Sequence, residues 1–359
     1  MKRVGYLYEK ICDPDNVRRA IFHACQHKHN RGYVRHILAD PERYTAQISA
    51  MLREHRFVPG ENRTRIIRDT SCGKEREITV PRFYPDQIVH WAVIQVLEPV
   101  LSKGMYRYSC GSVPGRGGKA AKWYVEKALR KKNTRYVLKL DVRKFFPSVR
   151  HDKLKELLAR KIKDRDVLEL LGAIIDNGGP GLPIGYYTSQ WLSNFYLQEI
   201  DHYIKEKLKV PYYVRYVDDM VLMGPNKRKL RRAMQALAEF MTAEGYGLTI
   251  KGNWQLWRVH SRPLDFVGYR YFRGYTLLRE KLLYRLTRTV RRIAALGLNI
   301  GRARRFLSRL GWGKRINFGR YYCQHIKPTI SKGAARAYVS RWERRYRCRT
   351  STICPCSTA

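Results

Sequence analysis

Along the middle of the chain, apolar and polar residues alternate in short runs set between segments of helical spacing. The stretch RIIRDTSCGKEREITVP reads as two alternating strands around a turn-rich DTSCGK, ended by Pro81. In DQIVHWAVIQVLEPVL, residues Ile88, Val89, Val93, Val96 and Leu97 give a helix one buried face, and Asp86 is placed to cap it. The glycine-rich SCGSVPGRGGKAA leads into a further helix, RYVLKLDV is a strand, and HDKLKELLARKI and, after Asn226, KRKLRRAMQALAEFM are amphipathic helices. NVRRAIFHACQ and PERYTAQISAMLREHRF predict a helical region over the first 65 or so residues. Tyr212, Val214 and Tyr216 alternate before an Asp-Asp pair, and Val221 and Met223 alternate after it, so VRYVDDMVLMG predicts a hairpin with both acids at its tip. Strands and helices interleave without a regular βαβ repeat, which makes the fold class α+β.

Charge changes the picture more than composition does. The chain has 359 residues, 44% of them hydrophobic, enough for two or three subdomains with sizeable cores. Its 72 lysines and arginines stand against 30 acids, a formal charge of +42 that would self-repel in isolation and points to a polyanion, nucleic acid first. No apolar run approaches a membrane-spanning length, and MKRVGYLYEKICDPDN lacks a signal-peptide core, so a cytoplasmic protein with no membrane partner is expected. Close to half of the excess charge lies between Arg279 and Arg349, where 21 lysines and arginines face only Glu280 and Glu343. Aromatic residues recur there every few positions (Phe306, Trp312, Phe318, Tyr321, Tyr322, Tyr338, Trp342, Tyr346), as in a small helical core whose outer face follows a phosphate backbone. Scattered cysteines suit reduced thiols. His23, Cys25, His27 and His29, and Cys348, Cys354 and Cys356 in the tail, have the composition of zinc clusters, but a polar helix face and a frayed terminus explain them as well.

Two adjacent carboxylates in an apolar run need a compensating charge or a solvated turn, and the segment alone leaves both open. A third acid favours the first. Asp141 ends the apolar strand VLKLD and is followed by Val142, Phe145 and Phe146. One carboxylate at a strand end beside a hairpin bearing two more is the donor set that phosphoryl transfer with two divalent ions requires.

These residues resemble the reverse transcriptases. YVDD at 216–219 resembles their palm motif and LKLDVRKFFPSV their first metal-binding motif, in matching order and separation. REITVPRFYPDQIV and YSCGSVPGRGGKAA resemble the fingers motifs, GYGLTIKGNWQL the lysine-bearing motif, and LDFVGYRY the hairpin that grips the primer, so that the likeness runs through residues 66–275. The resemblance implies a right-hand polymerase: an N-terminal helical extension over 1–65, fingers and palm over 66–275, a basic helical thumb over 276–349 and a tail over 350–359. It implies that Asp141, Asp218 and, less directly, Asp219 bind two Mg2+ ions, for which Mn2+ could substitute, with the Val142 carbonyl as a further ligand. Phe146 takes the gate position that excludes a 2′ hydroxyl. Arg68 and Arg76 would grip the triphosphate of the incoming dNTP, with Lys74 able to replace Arg68, and Arg116 would meet template or nucleotide. Lys251 matches the lysine assigned to protonation of pyrophosphate.

One motif narrows the family. Where most reverse transcriptases carry glutamine, glycine, three variable residues, serine and proline, this chain has LPIGYYTSQWLSNFYL, with Ile184 for the glutamine and Gln190 for the proline. Together with IKGNWQL, this resembles the reverse transcriptases of diversity-generating retroelements, bacterial or phage-encoded. These copy a template-repeat RNA into cDNA with errors chiefly at adenine, form an RNA–cDNA duplex, and work with a small basic accessory variability protein. The alternatives are the reverse transcriptase of a retron, a defence system or a group II intron, and a polymerase relic that only binds RNA. About ten residues follow the basic region, too few for the DNA-binding or endonuclease module expected of the intron version.

Overall fold

The computed structural model describes residues 3–68 and 75–351, without the side chains of Arg315 and residues 346–351. The predicted turn DTSCGK, with Cys72 and Lys74, and the tail cysteines Cys354 and Cys356 lie outside the described residues, as does the side chain of Cys348. Helices and antiparallel sheets are mixed along the chain, so the fold is α+β. The chain divides into two compact units, one of Met1–Tyr124 with Arg135–Trp257, the other of Val125–Thr134 with Arg258–Ala359. The division thus falls at Arg258, ahead of the position near 276 expected from the onset of the basic run.

The larger unit opens with four helices, α1 (Tyr8–Cys12), α2 (Pro14–Cys25), α3 (Gly32–Ala39) and α4 (Pro41–Arg53). Asp13 and Asp40 start α2 and α4 by accepting hydrogen bonds from backbone amides of the first turn, and a proline follows each as the first helical residue. Val17, Ile21, Ile48 and Leu52 are fully buried in the same core as the central strands, so this region is part of the main body. Strands β1 (Arg63–Arg68) and β2 (Glu75–Val80) pair antiparallel as the predicted hairpin. The following helix α5 (Ile88–Ser102) does bury Ile88, Val89, Val93 and Leu97. Asp86 does not cap it. The chain enters through a π-helical turn over Phe83–Gln87, and Asp86, 1% exposed, instead accepts from the Gly60 amide (3.1 Å) while its Oδ1 has no partner.

After α6 (Gly117–Arg130) come β3 (Tyr136–Asp141), the short α7 (Phe145–Ser148), α8 (His151–Ala159), α9 (Arg165–Asp176), α10 (Tyr187–Tyr196) and α11 (Gln198–His202). Strands β4 (Tyr212–Tyr216) and β5 (Asp219–Gly224), helix α12 (Lys227–Ala243) and β6 (Gln255–Arg258) complete this part of the chain. The central sheet has the order β4-β5-β3-β6, with β5 antiparallel to both β4 and β3. From Met220 to Gly224 every residue of β5 is buried, so both faces of the strand are covered and the alternation in its sequence does not mark an inside and an outside.

In the smaller unit, β7 (Leu264–Phe266), β8 (Tyr269–Tyr271) and β9 (Thr276–Leu278) form an antiparallel sheet. Val267 and Gly268, both at positive φ, make the two-residue turn between the first two strands. Helices α13 (Glu280–Leu296), α14 (Ile300–Leu310), α15 (Gly319–His325) and α16 (Lys332–Ser351) follow, with a core that includes Leu286, Val290, Ile293, Phe306 and Phe318. On α13 the buried residues Leu286, Thr289, Val290 and Ile293 recur at three- and four-residue spacing and leave Arg288, Arg291 and Arg292 exposed on the other face. Arg309 is held below its ordinary pKa by burial and by the cations Arg285, Arg305, Arg288 and Arg292 around it, a crowding of like charge that an anion would relieve. Among the described residues no helix is long and apolar enough to cross a membrane.

Candidate active site

Strand register brings the acids together. Asp141 stands directly opposite Asp219 across β3 and β5, and Tyr216 opposite Asp219 across β4 and β5, which leaves Val217 and Asp218 as the two-residue turn. Val217 sits at φ +57, a conformation that β-branched residues rarely adopt, so the turn is strained next to the acid pair. Lys251 donates from Nζ to Asp141 Oδ2 (2.6 Å), and its amide donates to the Asp141 carbonyl (2.8 Å). Lys139 Nζ lies 3.2 Å from Asp219 Oδ2. Val142, almost fully buried, bridges to Ile250 and so ties the strand end to the lysine-bearing loop.

Burial first, then the neighbouring Asp141, raise Asp218 above the ordinary carboxylate range, while Lys251 and Arg76 pull it back. Asp219 is pushed up to about 6, again chiefly by burial, against the opposing pull of Lys139. Hydrogen bonding to Asp141 raises Lys251. As the side chains stand, no three His, Cys, Asp or Glu among the described residues converge on one point, because Asp141 is turned to Lys251 and Asp219 to Lys139. The donor set nevertheless fits divalent cations: all its ligands are oxygens, Asp219 Oδ1 is buried without a partner, and the burial and neighbouring negative charge that disfavour the charged forms of Asp218 and Asp219 are what a bound cation would offset.

Around the acids, one segment joins two of the expected nucleotide contacts. The Leu182 amide donates to the carbonyl of Phe146 (2.8 Å), and the Thr79 amide on β2 donates to the carbonyl of Ile184 (2.8 Å). The approach is close at both ends. A Cβ on Gly181 would stand 2.3 Å from the Phe146 carbonyl oxygen, and one on Gly185 would stand 2.2 Å from that of Thr79. Residues 181–185 therefore fix Phe146, which is half-buried with its ring edge-on to Phe145, relative to the fingers strand. Arg76 on that strand is within electrostatic reach of Asp218.

The remaining expected residues divide. Arg68 is exposed at the end of β1 opposite Glu75, and Lys74 lies outside the described residues. Arg116 donates from Nη1 to the Tyr106 carbonyl (2.7 Å), which makes it a brace of its own loop. Gln190 is exposed on α10, where its carbonyl accepts from Ser193 and Asn194. His23 is bonded through Nδ1 to Gln95 (2.7 Å) and Cys25 is buried, whereas His27 and His29 are exposed, so the first His/Cys cluster is divided between core and surface. Sequence reasoning passed over three groups that touch the turn or the acid beside it: Lys139 at Asp219, the fully buried Arg215 at the Val217 carbonyl, and Gly111, where a Cβ would lie 2.5 Å from the Val217 amide nitrogen. An arginine inside the apolar YYVRYV was the available signal.

Two acids facing each other on adjoining antiparallel strands and a third in the neighbouring turn, with Lys251 bonded to Asp141 and a bulky ring following it, define the palm of a right-hand polymerase. The chain belongs to the reverse transcriptase (RNA-dependent DNA polymerase) family, whose sequence profile matches residues 67–271, more than half of its length. It is 31% identical over 173 residues to an uncharacterized 91 kDa protein in the cob intron of Schizosaccharomyces pombe, covering 44% of this chain and 20% of that protein. It is 30% identical over 101 residues to the retron Ec73 reverse transcriptase of Escherichia coli, covering 24% and 32%. Among solved structures it is similar to apo telomerase from Candida tropicalis, with a TM-score of 0.49 and 13% identity over 78% of this chain and 63% of the other. The chain thus spans a third or less of the length of those two sequence relatives.

Proposed function

We propose that this chain is an RNA-directed DNA polymerase of a diversity-generating retroelement, which copies a template-repeat RNA into cDNA mutagenised at adenines for insertion into a target protein gene. The observation that carries the polymerase reading is the register of β3 against β5, which sets Asp141 opposite Asp219 beside the Asp218 turn in a chain of this family. Asp141, Asp218 and Asp219, with the Val142 carbonyl, would hold the metals. Two bound divalent ions, Mg2+ by family likeness, supply the charge that favours attack of a 3′ hydroxyl and departure of pyrophosphate. Lys251 Nζ carries the proton for the leaving pyrophosphate. Arg76, with Arg68, binds the triphosphate, and the ring of Phe146 excludes a 2′ hydroxyl. The arginine-rich face of α13 and α14 binds the backbone of the RNA–cDNA duplex.

The retroelement class rests on Ile184 and Gln190. A glutamine can hold a nucleotide by hydrogen bonds, whereas isoleucine holds it by packing alone, and each ~1.4 kcal/mol lost from the gap between correct and incorrect pairs raises errors about tenfold. The test is to sequence cDNA made by the wild type and by Ile184→Gln on a mixed-sequence RNA, with and without an accessory variability protein. Wild-type errors concentrated opposite adenine and reduced by the substitution are the expected result; uniformly low errors would overturn the class. A second reading, the reverse transcriptase of another retroelement, is favoured by the relatives named for a retron and for an intron. It predicts low errors at all four bases.

A further inference from the structure

We propose that Arg215, together with Asp201, is a positioning residue that sets the peptide plane carrying Asp218. Arg215 lies on β4, fully buried, and all its donors face inward. Nε and Nη2 make a bidentate pair with Asp201 on α11 (2.8 and 2.7 Å), while Nη1 donates to Asn194 Oδ1 (3.1 Å) and to the carbonyl of Val217 (3.0 Å).

Stability alone does not account for this arrangement, because burying a guanidinium and a carboxylate is unfavourable enough that well-packed apolar residues do as well or better. What apolar residues could not supply is a donor to Val217. The carbonyl of Val217 and the amide of Asp218 belong to one rigid peptide unit, so a bond to the first orients the second and with it the direction in which Asp218 leaves the turn. The turn needs such a hold, since Val217 is at φ +57. A second contact also closes on it: Gly111 packs against Val217, and its carbonyl accepts from Asn194 Nδ2 (2.8 Å), the same residue whose Oδ1 receives Arg215. The ion pair therefore reaches the catalytic turn through one direct bond and one indirect brace. Its catalytic significance rests on the polymerase reading above.

The test compares wild type with Arg215→Met/Asp201→Asn, which removes both charges while the asparagine still accepts from Tyr213 OH, and with Arg215→Lys, which keeps the charge but not the fork. Hydrogen exchange of peptides spanning 214–224 reads the turn directly, and single-turnover extension at saturating dNTP reads its consequence. The expected result is faster exchange at the tip only, unchanged melting and primer–template affinity, and extension slowed about 100-fold, the loss that ~1 Å of misplacement produces. Arg215→Lys should recover part of the rate. Unchanged exchange and rate in the double variant, or loss of protection throughout the sheet together with lowered melting in both variants, would overturn the proposal. Failure of the wild type to extend any RNA-templated primer would count against the polymerase reading instead, and the exchange measurement would still decide the role of Arg215.

Discussion

Replacing Gly185 by alanine tests the link between the fingers strand and the segment that bears Ile184. Gly185 has φ +130, and a Cβ there would stand 2.2 Å from the Thr79 carbonyl oxygen and 2.8 Å from Ile78 Cγ2. The backbone conformation costs about 1–3 kcal/mol for an L residue. The overlap costs about 1–3 kcal/mol more. If the loop moves away from β2 instead, the hydrogen bond from Thr79 to Ile184 breaks, at roughly 1 kcal/mol. A total destabilisation of about 2–6 kcal/mol is expected, read from urea unfolding of the wild type and the variant. Gly179→Ala is the control: its φ is +75 but nothing lies within 4 Å of an added Cβ, so only the backbone contribution of about 1–2 kcal/mol applies. Because the displaced segment carries Ile184 and is tied to Phe146, the Gly185 variant should also show a raised KM for dNTP with primer–template affinity unchanged. Equal destabilisation of the two variants, or an unaltered KM at Gly185, would refute the argument.

Two further outcomes follow from burial and charge. His90, 1% exposed with Nδ1 unpartnered, is pushed down to about 3 by burial, so the unfolded chain binds the extra proton between about pH 6.5 and 3 and stability falls as pH falls through that window. Over pH 6 to 5, wild type should lose roughly 1 kcal/mol per pH unit more than His90→Phe in urea unfolding, and parallel curves would exclude the effect. In the smaller unit, Arg288→Gln/Arg291→Gln/Arg292→Gln should lower the log-log salt dependence of RNA–DNA duplex binding by about one unit for each phosphate no longer neutralised, and an unchanged slope would place the phosphate-binding residues elsewhere.

The elements around the acids were largely legible in the sequence, because a strand ending in Asp141 and a hairpin turning at the acid pair leave period-two patterns and punctuation that local chemistry explains, although Asp219, expected at the tip with Asp218, is the first residue of β5. The register that sets Asp141 against Asp219 was not, since pairing between strands 78 residues apart in the chain leaves no local trace. Arg215 was missed for a related reason: alternation suggests a half-solvated strand in which an arginine is unremarkable, whereas β4 is covered on both sides and its arginine needs Asp201 from another element. Asp86 has the sequence position of a cap, yet a turn through Pro85 carries it into the interior. The bond from Arg116 to the Tyr106 carbonyl leaves no mark in the sequence either. The basic run beginning near Arg279 marks where charge accumulates, but the sheet over Leu264–Leu278 packs within the same unit, so composition and compactness divide the chain at different places.

The central claim is that the acid pair on the hairpin performs metal-dependent nucleotide addition on an RNA template. Primer extension on RNA, with wild type and Asp218→Ala compared at equal primer–template occupancy and over a Mg2+ titration, tests it most directly. The account predicts cDNA synthesis by the wild type that requires the cation, loss of all but a few per cent of that synthesis in the variant, and duplex binding by both, since the basic surface is untouched. Extension by Asp218→Ala at near wild-type rate, or none by the wild type under any divalent cation, would contradict it.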